Sequence, residues 1–151
     1  VVAAQDLAPE LTFDHAGVLT RKKPARGDMA NIERAIDVSH TIGADDIGAS
    51  VVVDKQVIAV EAAEGTARML ERVVDMRKNR KKTGGVFAKM TKPGQDLRID
   101  IPAIGIDTVN AVADAKLHGI IVNTKTCFVV HREEVIERAN ERGIFIMAVD
   151  E

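Results

Sequence analysis

The sequence predicts an α/β fold, a mixed sheet with covering helices in a single domain. Three observations predict it. Short runs that are apolar or nearly so, such as "IFIMAV" and "GGVFAKM", alternate with stretches of helical period, as expected for strands buried on both faces. Strand-like runs also come in adjacent pairs, which implies hairpins and hence a sheet that is mixed rather than purely parallel. The length of 151 residues suits one domain, large enough to bury roughly two-thirds of its unfolded surface without disulfide or metal staples.

Taken in order, residues 1–27 read as a linker or arm, rich in Gly and basic residues around Pro24. Residue 1 is Val, and "VVAAQDLAPEL" reads like the middle of a protein. The expectation is therefore a fragment lacking an N-terminal domain, with residues 28–151 forming the α/β domain. "DMANIERAIDVSHTIG" spaces Ile32, Ala35, Ile36, Ser39 and Ile42 as a helix does, with Asp28 as its cap and Gly43 as its stop. "ASVVVDKQVIAVEAAE" reads as two strands joined at Asp54-Lys55-Gln56. In "EGTARMLERVVDMRKN" the apolar face is Met69, Leu70, Val73 and Met76, capped by Thr66. "GGVFAKM" reads as a buried strand and "LRIDI" as a half-exposed one. "IDTVNAVADAKLHG" is a helix ending at Gly119. "GIIVN" and "CFVVH" are two strands around a turn at Asn123 to Thr126. "REEVIERANERG" and "IFIMAV" are the last helix and strand.

Composition removes several functions. Net charge is −2, and the chain has no Trp or Tyr and only four Phe, so the whole-chain field does not argue for nucleic acid and stacking platforms are almost lacking. No apolar run reaches the ~18 residues of a membrane span. The one cysteine, Cys127, lies in an apolar run and reads as a buried small hydrophobe in a reducing, cytoplasmic setting. The four histidines form no zinc-type spacing and read as surface or cap residues. No nucleotide-binding glycine fingerprint and no serine elbow are present.

The chemistry concentrates in "AKMTKPGQDLRIDIP". Asp96, Arg98 and Asp100 share one face of an extended strand after the Pro93-Gly94 turn, and Lys89 and Lys92 precede it. Lysines beside a turn suit phosphate, and two carboxylates suit Mg²⁺ with substrate phosphates. A solvated strand face with compensating charges is the alternative. Glu64, in "VEAAEGT" at a strand-to-helix join, is either a metal ligand or base, or part of a cap. The basic run "RKNRKK" is either a solvated helix end or an attachment to an anionic membrane surface.

The blocks "DLAPEL", "GVLTRKKP", "VVVDKQVIAVEAAEGT", "GGVFAKMTKPGQDLRIDIPAIG" and "GIFIMAV" together resemble the C-terminal domain of LpxI-type UDP-2,3-diacylglucosamine pyrophosphatases. The resemblance spans nearly the whole chain. It implies a lipid A pathway enzyme that hydrolyses UDP-2,3-diacylglucosamine to UMP and 2,3-diacylglucosamine 1-phosphate (lipid X). It further implies dependence on Mg²⁺ or another divalent metal, a substrate held against the chain's own N-terminal domain, and peripheral contact with the inner membrane. It assigns catalysis to Asp96, metal to Asp96 and Glu64, and substrate or phosphate binding to Lys89, Lys92, Gln95 and Arg98. The chain departs from the family pattern at Ala67 and Ala103. The rival reading is a non-catalytic α/β module that binds a nucleotide-sugar or a phospholipid headgroup.

Overall fold

Strand and helix alternate along the chain. The computed structural model describes residues 9–45, 47–91 and 101–150. After a 3-10 turn at Pro9–Leu11 come β1 (Gly17–Val18), α1 (Arg26–Gly43), β2 (Ala49–Val53), β3 (Gln56–Val60) and α2 (Thr66–Arg77). They are followed by β4 (Val86–Lys89), β5 (Ala103–Ile104), α3 (Ile106–Asp114), β6 (Gly119–Asn123), β7 (Phe128–Val129), α4 (Arg132–Arg142) and β8 (Phe145–Val149).

Six strands form one mixed sheet in the order β1-β8-β6-β4-β2-β3. β4, β6 and β8 run parallel, while β2 lies antiparallel to both β3 and β4, and β1 antiparallel to β8. Asp54 and Lys55 close the β2–β3 hairpin with φ of 51° and 65°. Positive φ at both turn residues matches the right-handed strand twist, so the predicted hairpin forms without glycine. Gly85 enters β4 at φ +93°, and a Cβ there would lie 2.5 Å from the Val52 carbonyl oxygen. Only glycine fits that approach.

Strand alternation sends apolar side chains to both faces. On one face α1 lays Ile32 and Ala35 against Val52, Val86, Ala88, Ile121 and Phe145. On the other, Met69, Leu70 and Val73 of α2, Val109 and Val112 of α3, and Val135 and Ala139 of α4 cover Val51, Phe87, Ile120, Val122 and Ile146. The result is a helix–sheet–helix sandwich with one helix on one side and three on the other. Residues 9–27 pack on it: Phe13 is in the core, and the Thr20 hydroxyl accepts a bond from Ile146 N at 3.0 Å.

Several local expectations shift. Asp28 is the third helical residue of α1 rather than its cap, and its Oδ2 accepts a bond from Ala25 N at 2.8 Å. Thr66 is the first residue of α2, with Gly65 capping at φ 84°. Met76 is exposed, and Arg77 takes the inward position one residue on. Its guanidinium donates to the Gly84 and Lys82 carbonyls, an outlet that an apolar side chain lacks. α3 stops at Asp114 because Lys116 adopts φ 58°. "CFVVH" forms no hairpin with β6. β7 instead pairs in parallel with β5 in a separate two-stranded sheet. The predicted strand "LRIDI" lies, but for Ile101, outside the described residues.

Candidate functional site

Because β4, β6 and β8 are parallel, Lys89, Asn123 and Val149 end at one edge of the sheet. In open sheets of this kind the crevice beyond the carboxyl ends is where ligands bind. The antiparallel β2–β3 pair brings the start of α2 to the same edge. Ala49 pairs with Lys89, and Glu61 N donates to Ala49 O at 2.9 Å.

Lys89 is mostly buried, with its side chain 16% exposed. Its ammonium donates to the Thr66 hydroxyl at 2.6 Å and to Glu61 Oε2 at 3.4 Å. Lys89 therefore grips the β3–α2 loop on both sides of Glu64, so the structure brings these two predicted residues to one edge. Glu64 itself is taken: its carboxylate is bound by Arg72, which also donates to the Val60 carbonyl at 3.3 Å. Among the described residues no group of three His, Cys, Asp or Glu side chains is placed to hold a metal ion. Lys92, Gln95, Asp96 and Arg98 lie outside the described residues.

The chain on both sides of residues 92–100 is pinned at this edge. Thr91 N donates to Asn123 Oδ1 at 2.7 Å, and the Thr91 and Thr126 hydroxyls are 2.5 Å apart. Pro102 O accepts a bond from Phe128 N at 2.8 Å. Thr124 donates to Asp150 Oδ1 at 2.7 Å. Asn123 is 1% exposed, and its Nδ2 has no partner among the described residues. A buried amide donor left unpaired is uncommon and costly. Beneath the edge, burial pushes the Cys127 thiol up to about 12, which keeps it protonated and unreactive.

Sequence reasoning missed Glu61, Thr66 in its role towards Lys89, Thr91, Asn123 and Thr126. Each is an unremarkable polar residue read singly. For Thr91 and Asn123 the signal is position, just past or at the carboxyl end of the parallel strands β4 and β6; for the others no local signal was present.

Residues 15–147 match the LpxI C-terminal domain family. The chain is 41% identical over 155 residues to the UDP-2,3-diacylglucosamine pyrophosphatase LpxI of Caulobacter vibrioides, across 99% of this chain and 55% of that protein. The chain thus spans little more than half the length of this relative.

Proposed function

Because the chain belongs to the LpxI C-terminal domain family, we propose that it is the carboxyl-terminal part of a UDP-2,3-diacylglucosamine pyrophosphatase of lipid A biosynthesis. The observation that carries this reading is the 41% identity to a protein of that name across 99% of the chain. The reaction adds water across the pyrophosphate and releases UMP and 2,3-diacylglucosamine 1-phosphate. The geometry around Lys89 supports it, since a pyrophosphate diester needs its two negative charges neutralised before a nucleophile can approach.

In this reading Lys89 and Lys92 meet the phosphate oxygens, Gln95 and Arg98 bind substrate, and Asp96 holds the metal or orients the attacking water. The orphan Asn123 amide supplies a further donor at the same edge. Mg²⁺, held by Asp96, would acidify a bound water. Glu64 joins that set only by giving up Arg72, so its metal role is the weaker assignment. The other wall of the pocket is the N-terminal domain that the longer relative carries room for. No helix among the described residues is long and apolar enough to cross a membrane. In this reading the diacylated substrate brings the protein to the cytoplasmic face of the inner membrane as a peripheral contact.

UMP release from UDP-2,3-diacylglucosamine by the full-length protein, with and without Mg²⁺ and with Asp96→Ala, tests the proposal. Asp96→Ala should lower turnover by about 10³ or more with the fold intact, on the scale of losing metal and electrostatic stabilisation together. Unchanged turnover in that variant would instead favour a non-catalytic binding module.

A further inference from the structure

At the opposite edge of the sheet the structure holds a second cluster of polar and charged side chains. The five residue steps from His118, just before β6, to Asn123 at its end separate the two edges by about 16 Å. Here a cleft of about 230 Å³ is lined by Lys22, Thr83, Lys116, His118 and Arg142, with Gly143 and Ile144 behind them.

His118 is the organised element of this cleft, not the surface histidine that its sequence context suggests. Its Nδ1 lies 2.7 Å from Asp28 Oδ1, and its Nε2 lies 3.2 Å from the Thr83 hydroxyl. Asp28 is 3% exposed, and its second oxygen is occupied by Ala25 N. A buried carboxylate accepts, so the Nδ1 carries the proton and the ring is fixed with Nε2 towards Thr83 and the cleft. When protonated, Nε2 becomes a donor.

The lining also carries three cations, beside the apolar Ala113, Leu117 and Ile144. Lys116 donates to the Lys78 and Arg80 carbonyls at 3.0 and 2.6 Å, which leaves one ammonium proton and the full charge. Those same bonds draw the basic run "RKNRKK" to the rim. Arg142 pairs with Asp114 at 2.6 Å. Lys22 makes no ion pair or hydrogen bond among the described residues through its ammonium. Two carboxylates are engaged by these side chains, Asp114 by Arg142 and Asp28 by the His118 imidazole.

We propose that this cleft is a binding site for a phosphate group, held by Lys22, Lys116 and Arg142, with His118 and Thr83 as directed partners. The cleft is smaller than the roughly 300–1,000 Å³ of sites for drug-sized ligands, so it takes a headgroup-sized anion rather than a nucleotide-sugar. It shares no residue with the Lys89 edge and does not rest on the activity proposed there. The same phosphate chemistry can come from a free anion or from an anionic lipid headgroup.

The test follows the His118 ring by NMR in the full-length protein, assigned with His118→Asn. Inorganic phosphate, vesicles containing phosphatidic acid and vesicles of phosphatidylcholine alone are titrated in turn. A saturable His118 shift with inorganic phosphate assigns a free anion. A shift only with phosphatidic acid vesicles assigns a lipid headgroup. Lys22→Ala and Arg142→Ala should each weaken binding about tenfold, as expected on losing a charge-assisted contact, while thermal unfolding of Lys22→Ala stays at the wild-type temperature. No saturable His118 shift with either phosphate source, or binding indifferent to both substitutions, overturns the proposal.

Discussion

Lys89 shows what a single residue does in this fold. It ends β4, carries a charge into a mostly buried position, and is satisfied by Thr66 and Glu61. Replacing it by Ala removes a cation from the candidate edge and leaves Glu61 without its partner. We expect Lys89→Ala to lower kcat/KM for UMP release by about 10²-fold, the scale of losing one preorganised electrostatic contact, with near-wild-type circular dichroism. A change under threefold would remove Lys89 from the site. Cys127 gives a prediction of a different kind. Burial raises its thiol from 9.0 to about 12. The unfolded thiol ionises first, so the thiol's contribution to stability is complete below pH 9 and is lost as pH rises towards 12. The urea midpoint should fall more steeply between pH 8 and 10.5 in the wild type than in Cys127→Ala. Cys127 was legible in the sequence because an apolar neighbourhood says enough about a thiol. His118 was not, because its partner Asp28 is 90 residues away in the chain and no local spacing announces such a pair.

Among the elements, the β2–β3 hairpin and α1 follow from local pattern, since turn chemistry and helical period act over a few residues. The failures have a common cause. "CFVVH" has strand composition, yet its partner is β5 rather than β6, and pairing is a long-range choice that composition does not encode. Arg77 displaced Met76 from the inward face because the 82–84 carbonyls needed a donor, a demand set by a loop and not by the helix. β6 carries a constraint equally invisible in sequence. Gly119 pairs with Phe145, and a Cβ at Gly119 would overlap that ring. Gly119→Ala should destabilise the fold by about 1–3 kcal/mol through overpacking, read as a lower urea midpoint with unchanged slope. Gly27→Ala, where an added Cβ meets nothing within 4 Å, is the control.

For the whole molecule, strand–helix alternation was enough to identify the fold class, because each layer needs a partner to bury its apolar side. The candidate site was only partly legible. Lys89 and Glu64 lie at the same edge, but Lys89 bonds Glu61 and Thr66 while Glu64 is committed to Arg72, a pairing across eight residues and a helix start. The length of the relative bears on the remainder. If the substrate lies between two domains, this chain expressed alone should release UMP at under a hundredth of the rate of the full-length protein. Equal rates would refute a two-domain site. One feature of the sheet also governs how the molecule is made. β8 follows every other described element in sequence, yet it sits inside the sheet between β1 and β6. A ribosome must therefore translate past Val149 before β1 has a neighbour to join. Until then one flank of β6 stays open, and protection of the nascent chain from aggregation depends on how quickly residues 145–149 leave the exit tunnel.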